Sequence, residues 1–257
     1  MTLRLDVVVP AHDEQDRIVA CLEALATAVS NLRHERPHVS VHVSVVLDGC
    51  TDDTAALVHA HADGAAWLDT LVTDHVGVGR ARSLGAAHAL ARPVAGALVS
   101  AGRQRTDEPA VDHDDADLDQ RWLAHTDADS RVAAGWLVQQ LDALVSGAHV
   151  LVGAVVPDPD DLDAVVLARW QATHPPGATL GHVHGANLGI RADAYRAVGG
   201  FDPVPEHEDV RLVARARALG LRVDATTSLP VVTSGRFDGR TPGGYAEHLR
   251  RTYGDAS

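Results

Sequence analysis

The sequence predicts an α/β fold, a Rossmann-like three-layer α/β/α arrangement around a mostly parallel central sheet. Three observations lead there. Short apolar runs alternate with stretches of helical spacing, which calls for parallel strands joined by right-handed crossovers. Several of the runs stop on Pro, Gly or Asp, as strands do where they hand over to a helix. The chain has 257 residues and is 46% hydrophobic, enough to bury a substantial core.

The elements follow in order. Residues 3–9 are apolar and close on Pro10, predicting a buried strand. Ile18, Cys21, Leu22, Leu25, Val29 and Leu32 recur at helical spacing and predict the helix that follows. Residues 39–47 are rich in β-branched side chains and end on Asp48-Gly49, a strand with its exit turn. Thr51-Asp52-Asp53 suits a helix N-cap ahead of 55–62. Residues 67–72 predict a third strand, and the Ala-rich stretch 80–91 a helix.

Residues 103–119 interrupt the alternation. Asp107, Glu108, Asp112, Asp114, Asp115, Asp117 and Asp119 crowd a segment of little apolar content, so a solvated, disordered insertion is expected. An EF-hand loop is excluded, because the required Gly and Glu positions are not met. Residues 122–126 resume as a strand, followed by a helix with Leu137, Leu141, Leu144 and Val145 on one face. Residues 150–156 predict another strand, and 157–182 a Pro-punctuated stretch around a short helical piece. A strand over 185–191, a helix over 192–198, the turn Gly199-Gly200-Phe201-Asp202 and a helix over 207–219 ended by Gly220 complete the pass. Residues 1–257 read as a single domain without repeat or linker.

Composition narrows the chemistry. The formal net charge is -13, which argues against nucleic acid as a partner and against anionic lipid. Aromatic residues make up 4%, so the core must rest on Ala, Val and Leu. All 22 basic residues are Arg. The lack of Lys removes Schiff-base chemistry and a P-loop lysine, and leaves bidentate Arg as the phosphate contact. Cys21 and Cys50 fit neither a disulfide framework nor a zinc site, and Cys21 lies on the apolar helical stripe. The first residues enter a strand without a basic leader region, and no apolar run approaches the ~20 residues of a transmembrane segment. The expectation is a cytoplasmic enzyme.

Several constellations carry chemistry. Asp127-Ala128-Asp129 directly follows a strand, where two carboxylates can converge on one hard cation. Position alone leaves metal binding and helix capping both open, and Asp115-Ala116-Asp117 repeats the pattern without the strand. Asp48 ends a strand, where it can accept from a base or ribose or form an Asx-turn. Gly77-Val78-Gly79-Arg80-Ala81-Arg82 enters a helix, a place for a diphosphate or simply an exposed basic turn. Glu208-Asp209 opens the last long helix, as a general base or as a favourable helix-dipole placement. His182-x-His184 reads as a loop pair ahead of a metal site.

In sequence order these segments resemble family 2 glycosyltransferases of the GT-A fold, within the nucleotide-diphospho-sugar transferase superfamily. Val7-Val8-Val9-Pro10-Ala11-His12-Asp13-Glu14 resembles the family's opening strand and Pro-x-x-Asn-Glu turn, with Asp13 at the Asn position. Asp48-Gly49-Cys50-Thr51-Asp52-Asp53-Thr54 resembles its Asp-x-Ser-x-Asp-x-Thr segment, and Arg80-Ala81-Arg82-Ser83-Leu84-Gly85 its Arg-x-x-Asn-x-Gly segment less closely. Asp127-Ala128-Asp129 falls at the metal motif. Gly185-Ala186-Asn187-Leu188-Gly189-Ile190-Arg191, Gly199-Gly200-Phe201-Asp202 and Glu208-Asp209 match the acceptor-side segments.

The resemblance implies a glycosyltransferase that moves a sugar from a nucleotide-diphospho-sugar donor to an acceptor hydroxyl, metal-dependent and inverting. Pro10, Ala11, Glu14 and Asp48 would hold base and ribose. Arg82 would approach the diphosphate at the Ala128 site, and Arg236 is a further candidate there. Asp129 and Asp127 would hold Mg²⁺ or Mn²⁺, while Asp209, or second Glu208, would deprotonate the acceptor. A homodimer is compatible with it. Alternatives are a retaining transferase of the glyceric-acid type and a nucleotide-sugar binding protein without catalysis. A nucleotidyltransferase would need a Gly-rich, Lys-bearing loop where Pro10-Ala11-His12-Asp13-Glu14 stands.

Overall fold

The computed structural model describes residues 3–92, 117–175, 177–237, 239 and 245–254. The acidic stretch expected at 103–119 lies outside these residues except for its last three, where Asp117 leads into a 3-10 turn at Leu118–Gln120.

Strands β1 (Arg4–Ala11), β2 (Ser40–Asp48) and β3 (Leu68–Thr73) alternate with helices α1 (Ile18–Glu35), α2 (Thr54–Ala62) and α3 (Val78–Ala91). Then come β4 (Arg121–His125), α4 (Trp136–Val145), β5 (Val150–Pro157), α5 (Ala164–Thr173), β6 (Leu188–Arg191) and α6 (Ala192–Ala197). The described chain ends with α7 (Glu208–Ala218), β7 (Val223–Thr233) and α8 (Tyr245–Tyr253). Among the described residues the sheet has seven strands in the order β3-β2-β1-β4-β6-β5-β7. Only β6 runs antiparallel to its neighbours.

The middle strands are buried on both faces, so they appear in sequence as continuous apolar runs rather than alternating ones. Leu5, Val7, Val8 and Val9 of β1 are all inaccessible to solvent. On one face Ile18, Leu22, Leu25 and Leu32 of α1 pack with Val58 of α2 and with Trp136, Leu137 and Leu141 of α4. On the other, Ala86 and Ala89 of α3 join Tyr195 of α6 and Leu212 and Val213 of α7 over Leu123, Leu188 and Ile190. The result is the expected three layers. Small residues replace aromatic bulk by letting helices come close: a Cβ on Gly85 would stand 2.4 Å from Val8 Cγ1 and 2.8 Å from Val46 Cγ2.

The elements that start β1 and β4 also close the far end of α3. Arg4 donates to the Arg92 carbonyl at 2.9 Å and Arg121 to those of Ala89 and Leu90 at 2.7 and 3.0 Å, satisfying helix-end acceptors. Asp6 sits between the two guanidinium groups.

Three local expectations change. The stretch 185–191 is a 3-10 turn at Gly185–Asn187 followed by β6, because the buried Asn187 side chain turns in to donate to the Ala154 carbonyl and accept from Trp136 Nε1, both at 2.8 Å. The turn before α2 is capped through Asp52, whose Oδ1 accepts from Thr54 N at 2.9 Å; Asp53 makes no side-chain cap. The last part of the described chain contributes a strand and a helix, β7 and α8, that were not among the elements expected from the sequence. No helix among the described residues is long and apolar enough to cross a membrane.

Candidate active site

The strand order reverses between β1 and β4, and clefts in open α/β sheets form beyond the carboxyl ends of strands at such a point. A cavity of about 1030 Å³ lies there. Pro10, Ala11, Glu14, Asp48, Arg82, Asp127, Ala128, Asp129, Glu208 and Asp209 all line it, so the residues singled out in separate segments come together in one place.

The first two segments are laced to each other. Asp13 adopts a left-handed backbone (φ 50°), which Asp tolerates better than most residues, and its carboxylate accepts from Thr51 N at 2.7 Å. Glu14 N donates to Thr54 Oγ1 at 2.7 Å and Gln15 N to Asp52 at 3.0 Å. Asp48 is 3% exposed and holds the turn into α3: its carboxylate accepts from Val76 N, Gly77 N and Thr73 Oγ1 at 2.7, 2.9 and 3.0 Å. Gly77 has φ 83°, a conformation that suits glycine at this turn. His12 bonds the Asp48 carbonyl at 2.7 Å, and its ring lies 4.2 Å from that of His75.

The charged centre is built from two arginines and four carboxylates. Arg82, from the first turns of α3, is 2% exposed. It donates through Nε to Glu208 Oε1 at 3.0 Å and through Nη2 to Asp127, while Nη1 is buried with no hydrogen-bond partner among the described residues. Arg82 can lie flat there because Gly185 faces it; a Cβ at Gly185 would stand 2.5 Å from Nη2. Arg236 forms two parallel bonds to Glu14 at 2.9 and 2.6 Å and reaches Asp129 at 3.2 Å. In this structure, then, Arg236 meets carboxylates of the cavity.

Burial, with the neighbouring charges of Asp127 and Glu14, raises the Asp129 carboxyl to about 6, against the opposing pull of Arg236. Burial also raises Glu208, partly offset by Arg82. Asp209 is half-buried, and the hydrogen bond found to its carboxylate comes from Val210 N at 2.7 Å. His207, just before α7, is held at φ 63°, an uncommon backbone for a residue with a side chain and one that clusters at functional sites. The Cys21 thiol donates to the Asp127 carbonyl at 3.4 Å, tying α1 to the end of β4.

No family model matches the chain, and no curated protein does. Solved structures match over nearly all of it. A mannosyltransferase from Pyrobaculum calidifontis, in complex with GDP-mannose and Mn²⁺, is 16% identical with a TM-score of 0.58, covering 97% of this chain and 69% of that one. Glucosyl-3-phosphoglycerate synthase from Mycobacterium tuberculosis, in complex with Mn²⁺, UDP and glucosyl-3-phosphoglycerate, is 14% identical with a TM-score of 0.55, covering 98% and 77%. The same enzyme with Mg²⁺ and UDP gives a TM-score of 0.54.

The fold is that of GT-A glycosyltransferases.

On this GT-A sheet a second wall of the cavity comes from residues the sequence reading passed over. Trp170 and His174 from α5 and its exit, and Tyr245, His248 and Tyr253 from α8, line the same cavity. The usable signal was the spacing of Tyr245, Leu249 and Tyr253, four residues apart on one helical face. His182 and His184 line the cavity too, with ring centroids 6.5 Å apart. Among the described residues no three His, Cys, Asp or Glu side chains form a metal cage.

Proposed function

We propose that this protein transfers a sugar from a nucleoside-diphosphate sugar to an acceptor hydroxyl, with inversion and with the help of a divalent cation. The observation that carries this is the convergence of Glu14, Asp48, Arg82, Asp127, Asp129 and Asp209 on one cavity of a GT-A fold.

The residues fit a cation. Asp127 and Asp129 supply hard carboxylate oxygens, and burial, followed by the charge of Asp127, raises the Asp129 carboxyl. Mg²⁺ and Mn²⁺ commonly take one or two carboxylates and fill the remaining positions with water and substrate phosphate, so an open pair suits them better than a closed cage. Asp129 and Asp127 would hold the ion, which when bound neutralises charge on the diphosphate.

The chain's own residues do the rest. Among the described residues Arg82 Nη1 has no hydrogen-bond partner and could serve a phosphate oxygen, and Arg236 stands across the same centre. Asp209 takes the proton from the acceptor hydroxyl. The acceptor oxygen then bonds to the anomeric carbon as the bond from that carbon to the phosphate oxygen breaks, and the nucleoside diphosphate leaves with the electron pair. Asp209 is preferred to Glu208 as base, because Glu208 is buried and committed to Arg82.

The test is turnover with stereochemistry. Asp209→Asn should lower kcat by about 10²–10⁴-fold with donor affinity kept. Proton NMR of the product should show the anomer opposite to that of the donor. A product with the donor's own anomeric configuration, or full activity in Asp209→Asn, would remove Asp209 from this role.

A further inference from the structure

The cavity, at about 1030 Å³, lies at the upper end of ligand-pocket volumes, about 300–1,000 Å³. Beyond the charged centre its wall changes character. Trp170 and His174 stack in parallel with centroids 4.4 Å apart, 7° from coplanar. Tyr245 lies edge-on to His184 at 6.0 Å and 6.4 Å from His248. The wall is prebuilt: Thr173 Oγ1 and Tyr253 OH are 2.7 Å apart across α5 and α8, and Trp170 and Tyr253 are packed with Val166 and Leu249 in one buried cluster.

The charges around this wall select against an acid. The protein has no Lys. Among the described residues, the arginines lining the cavity are Arg82 and Arg236, and both are paired with carboxylates. Glu206 and Asp209 border the same space. Among the described residues, an acidic acceptor on this wall would find both lining arginines already committed to carboxylates, and leaving water without a counter-charge is costly. Burial lowers the His184 and His248 imidazoles, which favours their neutral forms, each offering one donor and one acceptor. Aromatic faces with neutral polar groups suit a ring that has apolar C–H faces and hydroxyl edges.

We propose that the wall of Trp170, His174, His184, Tyr245, His248 and Tyr253 is the acceptor subsite, and that it takes an uncharged saccharide ring rather than a phosphorylated or carboxylated acceptor. This rests on the glycosyl-transfer reading of the neighbouring centre and specifies its substrate. The glucosyl-3-phosphoglycerate synthase that shares the fold carries an acidic product in its structure, so the fold does not dictate this choice.

Saturation-transfer difference NMR on the full chain tests it, with methyl hexopyranosides and 3-phosphoglycerate as probes. The glycosides should receive saturation on their ring protons and 3-phosphoglycerate should not. Trp170→Phe and the exposed His248→Ala should each weaken glycoside binding by about 3–10-fold. His248→Ala guards against a misfolded Trp170 variant. Binding of 3-phosphoglycerate in preference to the glycosides, or glycoside binding unchanged in both variants, would overturn the proposal. Calorimetry with UDP or GDP and Mn²⁺ on the same samples separates the two ideas. Nucleotide binding without glycoside binding sinks only the subsite, whereas glycoside binding without nucleotide binding supports the subsite and sinks the donor site.

Discussion

Arg82 shows how much one side chain carries. It enters from α3, crosses the cavity floor and neutralises Glu208 and Asp127, which come from α7 and from the end of β4. Arg82→Gln would leave Glu208, 5% exposed, without its counter-charge. Breaking a buried pair from one side typically costs about 3–5 kcal/mol, and urea denaturation should read a loss of that order. Asp69 makes a different case, away from the cavity. Burial disfavours its charge, but hydrogen bonds from His42, His88 and Ser44 outweigh that and hold its carboxyl below the usual range. Arg92 adds an ion pair. A depressed folded-state value contributes stability that is fully present above the ordinary carboxylate range, about pH 4, and lost as pH falls below it. Asp69→Asn should therefore lower Tm at pH 7 by roughly 2–4 °C, for a loss of about 1 kcal/mol, and the gap to wild type should shrink as pH falls below about 4. A constant gap across that range would remove the ionised Asp69 as the cause.

At the scale of elements, close approach is the recurring device. Gly189 in β6 lies under the 2.7 Å bond from Trp122 Nε1 to Gln140 Oε1, and an added Cβ would stand 2.0 Å from that oxygen. Gly189→Ala should cost about 1–3 kcal/mol through overpacking, seen as a lower urea midpoint with unchanged slope. Which elements could be read from sequence follows from similar physics. β1, β2 and β4 are buried on both faces and stand out as apolar runs. β7 is an edge strand, mostly half-buried, with Pro230 inside it, Leu229 at φ 51° and a register shift against β5 between Gly153 and Val155. Each of those features erases a strand pattern, although an edge and a bulge are where Pro is tolerated. α8 buries only Leu249 and Tyr253 in an otherwise polar stretch.

For the whole molecule, the sheet and its helices bring distant segments to one rim. α3 starts at the cavity after Gly77, and α7 starts there with Glu208 and Asp209, so two positive helix ends face a space ringed with carboxylates. The candidate donor residues were legible because each sits in a short polar motif where a strand ends, and chain direction alone puts such ends on one side of the sheet. The aromatic wall was not, because Trp170 and Tyr245 are distant in sequence and meet only when α8 folds back onto α5. The formal charge of -13 adds a constraint at this scale. The proposed anionic donor would approach a protein of like sign, so a local cation would be the natural means of holding it.

That dependence is measured most directly by release of nucleoside diphosphate from a panel of UDP- and GDP-sugars with Mn²⁺, with a chelator, and in Asp129→Ala. Turnover is expected with Mn²⁺, lost on chelation and recovered when Mn²⁺ is restored, and on the order of 10²-fold lower, or lower still, in a folded Asp129→Ala protein, which loses transition-state charge stabilisation. Turnover that ignores both the chelator and the substitution would contradict that expectation.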